Sequence, residues 1–402
     1  MKKLTAFDLF SGCGGLSLGL KAAGFDVRWA NEIDGDAAET FVNSAPEVRM
    51  ANIDANELLR RIEDREPGLP LKGEVDLLAG GPPCQGFSGY NRYRSPDDPR
   101  NSLIETFLAF VEVLEPRFIL IENVPGMLQM NQGAVPNLIT DILDSIGYSS
   151  HLGILQAGHF GVAQNRWRVF ILASQRGLQL PCFPEPAYAF PRTIVFGARQ
   201  FRDHIIKGPT EASEDLFQNI KPGVTVGDAI DDLPAIGNGG GEREMAYQKP
   251  AASEFQRSMR QGSILLLDHI AQKQGGIMYE RVKAVPKKPG AGWLDLPDHL
   301  KPKNLLKHGD NRYPNRFGRL WWDGIFNTIV TRAYPYWGRF IHPTQNRVIS
   351  VRECARAQGI HDSVRFSGNL YSMYKQVGNA VPPPLAEAIA RAIVKAADES
   401  GV

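Results

Sequence analysis

Cys84 closes the stretch Leu77-Leu78-Ala79-Gly80-Gly81-Pro82-Pro83-Cys84 and opens Gln85-Gly86-Phe87-Ser88. An apolar run ends in two glycines and two prolines, and the thiol comes directly after them. Residues 85–100 are rich in Gly, Ser, Asn, Asp and Pro. A thiol fixed at the tip of a buried strand, beside such a loop, reads as a nucleophile under a lid. A structural Cys before an ordinary turn is the competing reading, and for a lone Cys it is the commoner one. Two further groups bear on the choice. Glu122-Asn123-Val124-Pro125 follows the apolar run 117–121, which puts a carboxylate at a strand tip. In Gln164-Asn165-Arg166-Trp167-Arg168, alternation sets Gln164, Arg166 and Arg168 on one face of a strand start. Such arginines either assist chemistry beside the carboxylate or form a structural ion pair.

The first 60 residues carry a different chemistry. A β-prone run, 4–10, leads into Ser11-Gly12-Cys13-Gly14-Gly15 and then a helical stretch ending at Gly24. Glycines there let a ligand approach the backbone, and the helix start offers free N–H groups. Glu32 follows a second strand, 27–31, where a ribose diol needs an acceptor, and Asp54 stands at a third strand tip. A dinucleotide fingerprint requires Gly at position 17, which is Ser17. S-adenosylmethionine, with a ribose and an adenine but no pyrophosphate, fits this pattern better than NAD.

The elements that position these groups read as strands at 4–10, 27–31, 74–81, 117–121, 149–155 and 167–173, with helices at 101–114 and 136–146. This is an α/β texture. It gives way after about Ser174 to a Pro-rich, irregular region. Within 301–347, nine Lys and Arg stand against Asp310 and Asp323, interleaved with Tyr, Trp and Phe. That mixture fits either a nucleic-acid surface or a solvated basic face. Order returns with a helix at 350–358, capped by Ser350 and Glu353, and a final helix at 385–397 expected to dock on the first α/β unit. The expected domains are 1–173, 174–344 and a segment 345–402 that completes the first.

The 402 residues carry 45 Lys and Arg against 44 Asp and Glu, so overall charge names no polyanionic partner. Four well-separated cysteines, Cys13, Cys84, Cys182 and Cys354, show no metal-ligand spacing and fit a reducing compartment. No signal peptide or membrane-length apolar run is visible, so a cytoplasmic protein, nucleoid-associated in a bacterium, is expected.

Taken together, the motifs resemble the cytosine carbon-5 DNA methyltransferase family across nearly the whole chain. The cofactor motif is Asp8-Leu9-Phe10-Ser11-Gly12-Cys13-Gly14-Gly15, and the nucleophile motif is Gly81 to Ser88. Glu122-Asn123-Val124 and Gln164 to Arg168 match two active-site motifs. Arg352-Glu353-Cys354-Ala355-Arg356 and Gln376 to Pro383 match the two closing ones, and all six stand in the family order. Within the family the likeness is greatest to the catalytic half of the vertebrate maintenance enzymes. It is carried by Phe317 to Leu320, Trp322-Asp323-Gly324, Thr328 to Thr331 and Val351 to Arg356. The region around 333–339 is shorter than in those enzymes, and the chain leaves no room for their regulatory domains. A bacterial or phage modification enzyme is therefore expected.

The resemblance implies a Rossmann-like S-adenosylmethionine-dependent fold, with a mixed, mostly parallel sheet and a smaller irregular target recognition domain. It implies that Cys84 attacks carbon 6 of a flipped cytosine, with Glu122 and Arg168 supporting the ring. Arg166 would bind the nucleotide's phosphate or lower the thiol pKa. S-adenosylmethionine would meet Phe10, Ser11, Gly15, Leu16, Glu32, Ile33, Asp54, Asn379 and Val381. Duplex DNA would meet Gln85, Ser88, Gln164, Arg319 and Thr328. No metal is expected. A monomer is expected, with a cognate restriction endonuclease acting independently. A tRNA cytosine methyltransferase of the same fold and an inactive DNA-binding relative are the rival readings.

Overall fold

The computed structural model describes residues 3–83, 102–191, 199–208, 219–307 and 313–402. Cys84, Gln85, Ser88 and the loop 85–100 lie outside the described residues. The chain divides into two compact units. The first comprises Met1–Gly161, Trp167–Pro222 and Val381–Val402, and the second Val162–Arg166 and Gly223–Ala380. The division differs from the expected boundaries. Residue 173 falls inside a core strand that runs to Gln175, and the C-terminal return begins at Val381 rather than at 345.

The first unit is built on seven strands: β1 (Thr5–Leu9), β2 (Asp26–Asn31), β3 (Arg49–Ala51), β4 (Leu77–Gly80), β5 (Phe118–Asn123), β6 (Tyr148–Gln156) and β7 (Trp167–Gln175). Their order across the sheet is β3-β2-β1-β4-β5-β7-β6. The first five run parallel, while β7 is antiparallel to both β5 and β6. The sheet is mixed and mostly parallel, as expected. All residues of β1, β4 and β5 are buried, because helices cover both faces of a parallel sheet. Phe7, Leu9, Leu78, Ile119 and Ile121 pack with Phe107, Phe110 and Val111 of the helix Ser102–Leu114 in one apolar core.

Three helices follow strands: α1 (Gly15–Ala22), α2 (Gly35–Ser44) and α3 (Ala55–Glu63). Asp34 caps α2 by accepting from the Ala37 N–H, and Asp54 caps α3 by accepting from the Asn56 N–H. The C-terminal helix Pro383–Glu399 docks on α1, as expected. Gly19 permits this. A Cβ there would stand 2.4 Å from the Cβ of Ala386 and 2.7 Å from the Pro383 carbonyl oxygen.

The second unit has little regular structure. One antiparallel ribbon pairs Gly241–Met245 with Leu266–Ile270, and a short parallel one pairs Gly318–Arg319 with Arg339–Ile341. Trp293, Phe317, Leu300, Leu305 and Ile341 form a local apolar core. Ser350 and Glu353 form the expected capping box of the helix Val351–Ala357. No helix among the described residues is long and apolar enough to cross a membrane.

Candidate active site

Three strands of the first unit bring the expected groups together at their ends. β5 extends two residues beyond the expected strand, because Glu122 pairs with Phe170 and Asn123 with Val169 of β7. Glu122 and Asn123 are thus held in the ladder rather than in a loop. Oε1 of Glu122 lies 2.7 Å from Nε of Arg168, and the side chains of this pair are 10% and 9% exposed. Burial pulls the Arg168 pKa down, and the Glu122 carboxylate pushes it back up. The other carboxylate oxygen lies over Gly81, where a Cβ would be only 3.1 Å from Oε2. Glycine at 81 therefore lets the carboxylate sit against the backbone three residues before Cys84. Asn123 extends the link, since its Nδ2 donates to the Pro82 carbonyl at 3.0 Å. Sequence reading placed Asn123 in a motif but gave it no task, although an amide beside a strand-borne carboxylate is the signal for one.

Arg166 and Gln164 are both held by backbone of the second unit. Arg166 is 0% exposed within the second unit. Its Nη1 donates to the Ile329 carbonyl at 2.9 Å, and its Nη2 to the carbonyls of Gly378 and Ala380 at 2.9 and 3.0 Å. A guanidinium committed in this way braces the Gly378–Ala380 turn. Gln164 is equally buried, donating to Ala357 O and Gln358 Oε1 and accepting from the Ile329 N–H. Arg319, expected at DNA, is 1% exposed, and its guanidinium donates to the carbonyls of Val282, Val285, His342 and Gln345. Burial lowers its pKa to about 10. These three placements share one cause: irregular chain leaves carbonyls that buried side-chain donors must satisfy. Thr328 is half-buried, and its hydroxyl donates to the Asn165 carbonyl at 2.5 Å.

The glycine turn and the next two strand ends form a second cluster in the first unit. Phe10 and Gly12 take left-handed backbone, with φ of 57° and 55°. Ser11 is tied to the Asn31 carbonyl by its N–H at 2.9 Å and its hydroxyl at 3.2 Å. Glu32 accepts from the Gly12 N–H and the Asp34 N–H, both at 2.8 Å. Burial raises its pKa despite those bonds. Nδ2 of Asn31 donates to the carbonyls of Ala51 and Ile53, both at 2.9 Å, which ties the tips of the second and third strands together. Ile33 is 67% exposed beside Glu32, an apolar surface without protein cover. Gly15 and Leu16 are buried in the first turn of α1. Asp54 is exposed, and one of its oxygens caps α3. Asn379 is exposed at the end of the helix Leu370–Asn379, and Val381 opens the last segment of the first unit.

Of the cysteines described, Cys13 and Cys354 are buried and Cys182 is exposed, and none forms a disulfide. Burial pushes the Cys13 thiol up to about 12 and the Cys354 thiol well above its ordinary value, so neither is a thiolate near neutrality. Among the described residues no group of His, Cys, Asp and Glu could hold a metal ion.

Residues 4–395 match the family model for C-5 cytosine-specific DNA methylases. The chain belongs to that family. It is 37% identical over 98% of its length to DNA (cytosine-5)-methyltransferase 1A of Oryza sativa subsp. japonica. It is 37% identical over 97% of its length to DNA (cytosine-5)-methyltransferase 1 of Gallus gallus. The chain spans less than a third of either relative, 28% and 29%. A solved DNA modification methyltransferase encoded within an E. coli prophage superposes with a TM-score of 0.68 at 25% identity, covering 98% of this chain and all of that one. The sequence resemblance and the structural likeness run the length of the chain, through both units.

Proposed function

We propose that the protein is a DNA cytosine-5 methyltransferase using S-adenosylmethionine. The observation that carries this reading is the buried Glu122–Arg168 pair, pressed against Gly81 at the start of the Pro82-Pro83-Cys84 segment. Cytosine carbon 5 is too poor a nucleophile to take a methyl group directly. In this reading the Cys84 thiolate adds to carbon 6, forming a C–S bond and leaving carbon 5 enamine-like. Glu122 holds a proton towards ring nitrogen 3 and accepts from the exocyclic amine. Arg168 keeps that carboxylate in place and hydrogen-bonds the ring carbonyl oxygen, where charge develops. After transfer, a base removes the carbon-5 proton and the C–S bond breaks, returning the thiolate. The target must leave the duplex first, at a cost of a few kcal/mol of unstacking.

The residues of the glycine turn suit the methyl donor. Glu32 retains lone pairs for a ribose diol, Ile33 exposes an apolar face for adenine, and Phe10, Ser11, Gly15 and Leu16 line the turn. Asp54 accepts from the adenine amine, and Asn379 and Val381 complete the set. S-adenosylmethionine supplies the electrophilic methyl group when bound there. Arg166 contributes by bracing the turn that carries Asn379. A recognition role belongs to the second unit, and the likeness to a prophage enzyme supports a bacterial or phage modification setting.

The test is covalent trapping on duplex DNA containing 5-fluorocytosine, with labelled methyl donor and a parallel tRNA arm. The wild-type protein is expected to form an adduct with the duplex, and Cys84→Ser to form none. Label entering only tRNA, or no adduct with any duplex, would overturn the reading.

A further inference from the structure

Arg316 is 8% exposed in the second unit, yet it is held unlike the other buried arginines. Its guanidinium carbon lies 4.2 Å from the ring centroids of both Tyr313 and Tyr336 and 5.5 Å from that of Trp337. The cradle is itself fixed. Tyr336 meets Phe317 and Trp337 edge-on, with centroids 6.0 and 5.5 Å apart, and its hydroxyl accepts from Nδ2 of Asn304. Phe317 adopts φ 52°, a left-handed conformation that a bulky residue rarely takes. Its N–H is tied to the Pro335 carbonyl at 2.7 Å, which joins the 313–317 turn to the aromatic loop.

The contrast with Arg319, three residues on, is informative. Arg319 spends its donors on backbone carbonyls, and Arg347 and Arg356 face carboxylates. Among the described residues, no carboxylate and no hydrogen-bond acceptor meets the Arg316 guanidinium. Aromatic rings satisfy the faces of a guanidinium but leave its in-plane N–H donors unused. None of its nitrogens is a fully buried unpaired atom, so this donor edge is open to an anionic oxygen that comes to the surface. Exposed Lys303 and Lys307 flank Asn304, so the neighbourhood is cationic and favours an anion. A planar donor edge matches the oxygens of a phosphate. Depth decides between the acceptors that DNA offers. A side chain this recessed reaches a base edge only by leaving its rings, whereas a phosphate projects towards it.

We propose that Arg316, pre-oriented by Tyr313, Tyr336 and Trp337, binds a backbone phosphate of the DNA. This rests on the reading of the chain as a DNA methyltransferase. The experiment measures binding of the full chain to several unrelated duplexes by anisotropy across a salt series. Arg316→Gln is expected to weaken every duplex by roughly tenfold. It should also reduce the slope of log affinity against log salt by about one. Arg316→Lys is expected to keep the slope and lose most of the affinity, because an ammonium retains charge but not the planar edge. Tyr336→Leu should weaken binding less than Arg316→Gln. Binding of S-adenosylmethionine and cooperative melting report that each variant is folded. Unchanged affinity and slope in Arg316→Gln, with wild-type binding intact, would overturn the clamp and leave the methyltransferase reading standing. Loss confined to one sequence would overturn it in favour of base reading. A wild-type chain that binds no duplex would defeat both readings. If Arg316→Gln fails to fold, wild-type affinity in Arg316→Lys overturns the proposal.

Discussion

In the first unit the backbone pairs with itself: seven strands satisfy one another, and apolar side chains fill both faces. In the second unit two short ribbons pair few residues, and buried arginines take up carbonyls that ribbons and helices leave open. Arg166 accounts for three carbonyls, Arg352 for those of Leu267, His361 and Val364, and Arg319 for four more. Buried carboxylates complete the pattern. Arg347 grips Glu353 with two bonds of 2.7 Å, and Arg356 bridges Asp232 and Asp362 at 2.5 and 2.6 Å. Five of the largest fully buried side chains are arginines, and all five belong to the second unit. An irregular fold can thus be specified by guanidiniums in place of a sheet, because one planar fork ties together several stretches of chain.

If that contrast is real, removing one guanidinium should cost the second unit more than any comparable change costs the first. Arg356→Met removes the cation that Asp232 and Asp362 share, leaving Asp232 with Arg260 and Asp362 with the Tyr247 hydroxyl and the more distant Arg352. The expected loss is about 3–5 kcal/mol, read by chemical denaturation. Circular dichroism and S-adenosylmethionine binding would show whether the first unit survives. A loss below about 1 kcal/mol would mean that the buried pairs are dispensable and that the apolar cluster around Trp293 holds the unit.

The same contrast explains what could be read from the sequence. The first unit was legible because strand ends, glycine turns and helix caps are local. The runs 4–10 and 27–31 and the place of Glu122 all follow from neighbours in the chain. The second unit was legible only where a signal was equally local, as in the capping box of Ser350 and Glu353. Whether Arg319 faces DNA or the carbonyl of Val282 depends on chain 37 residues away, and no periodicity records that. The basic and aromatic stretch 301–347 therefore looked like surface, while Arg319 and Arg347 are interior. Arg316 stood in the same stretch with nothing to single it out, because its distinction is the company of Tyr336, twenty residues on.

A smaller effect tests the first unit's own seam. Gly19→Ala would bring a Cβ to 2.4 Å from Ala386 and 2.6 Å from the Glu387 nitrogen, so the C-terminal helix must shift. Overpacking of this kind costs about 1–3 kcal/mol. Hydrogen exchange should quicken across 383–399 while the second unit's protection is unchanged. Equal protection in both proteins would mean that the helix rides on α1 more loosely than the contact implies.

The smallest expected change is also the most discriminating, because the two units titrate in opposite senses. Asp8, under α1, is raised from its ordinary 3.8 to about 7, chiefly by burial, although the Ser17 hydroxyl donates to its Oδ2 at 2.6 Å. Its Oδ1 meets no partner among the described residues. Glu32 shifts the same way, again through burial. In the second unit burial opposes ionisation too, but Arg347 and Arg356 hold Glu353 and Asp362 below their ordinary values. Asp268 is the exception there: burial raises it despite Arg243 and Arg352. Between about pH 4 and pH 7 the native protein keeps the Asp8 proton that the unfolded chain has released. The Asp8 contribution is therefore fully present below about pH 4, falls as pH rises and is gone above about pH 7. The Glu353 and Asp362 contributions run the other way and are lost in acid. Asp8→Asn should flatten the decline of stability between pH 5 and pH 8. At pH 7 it should shift stability by only about 1 kcal/mol, since its amide keeps the bond to Ser17 but leaves one N–H unmet. Melting at pH 5 and pH 8 for both proteins decides it: an unaltered difference would mean that Asp8 is ionised at its place beneath α1.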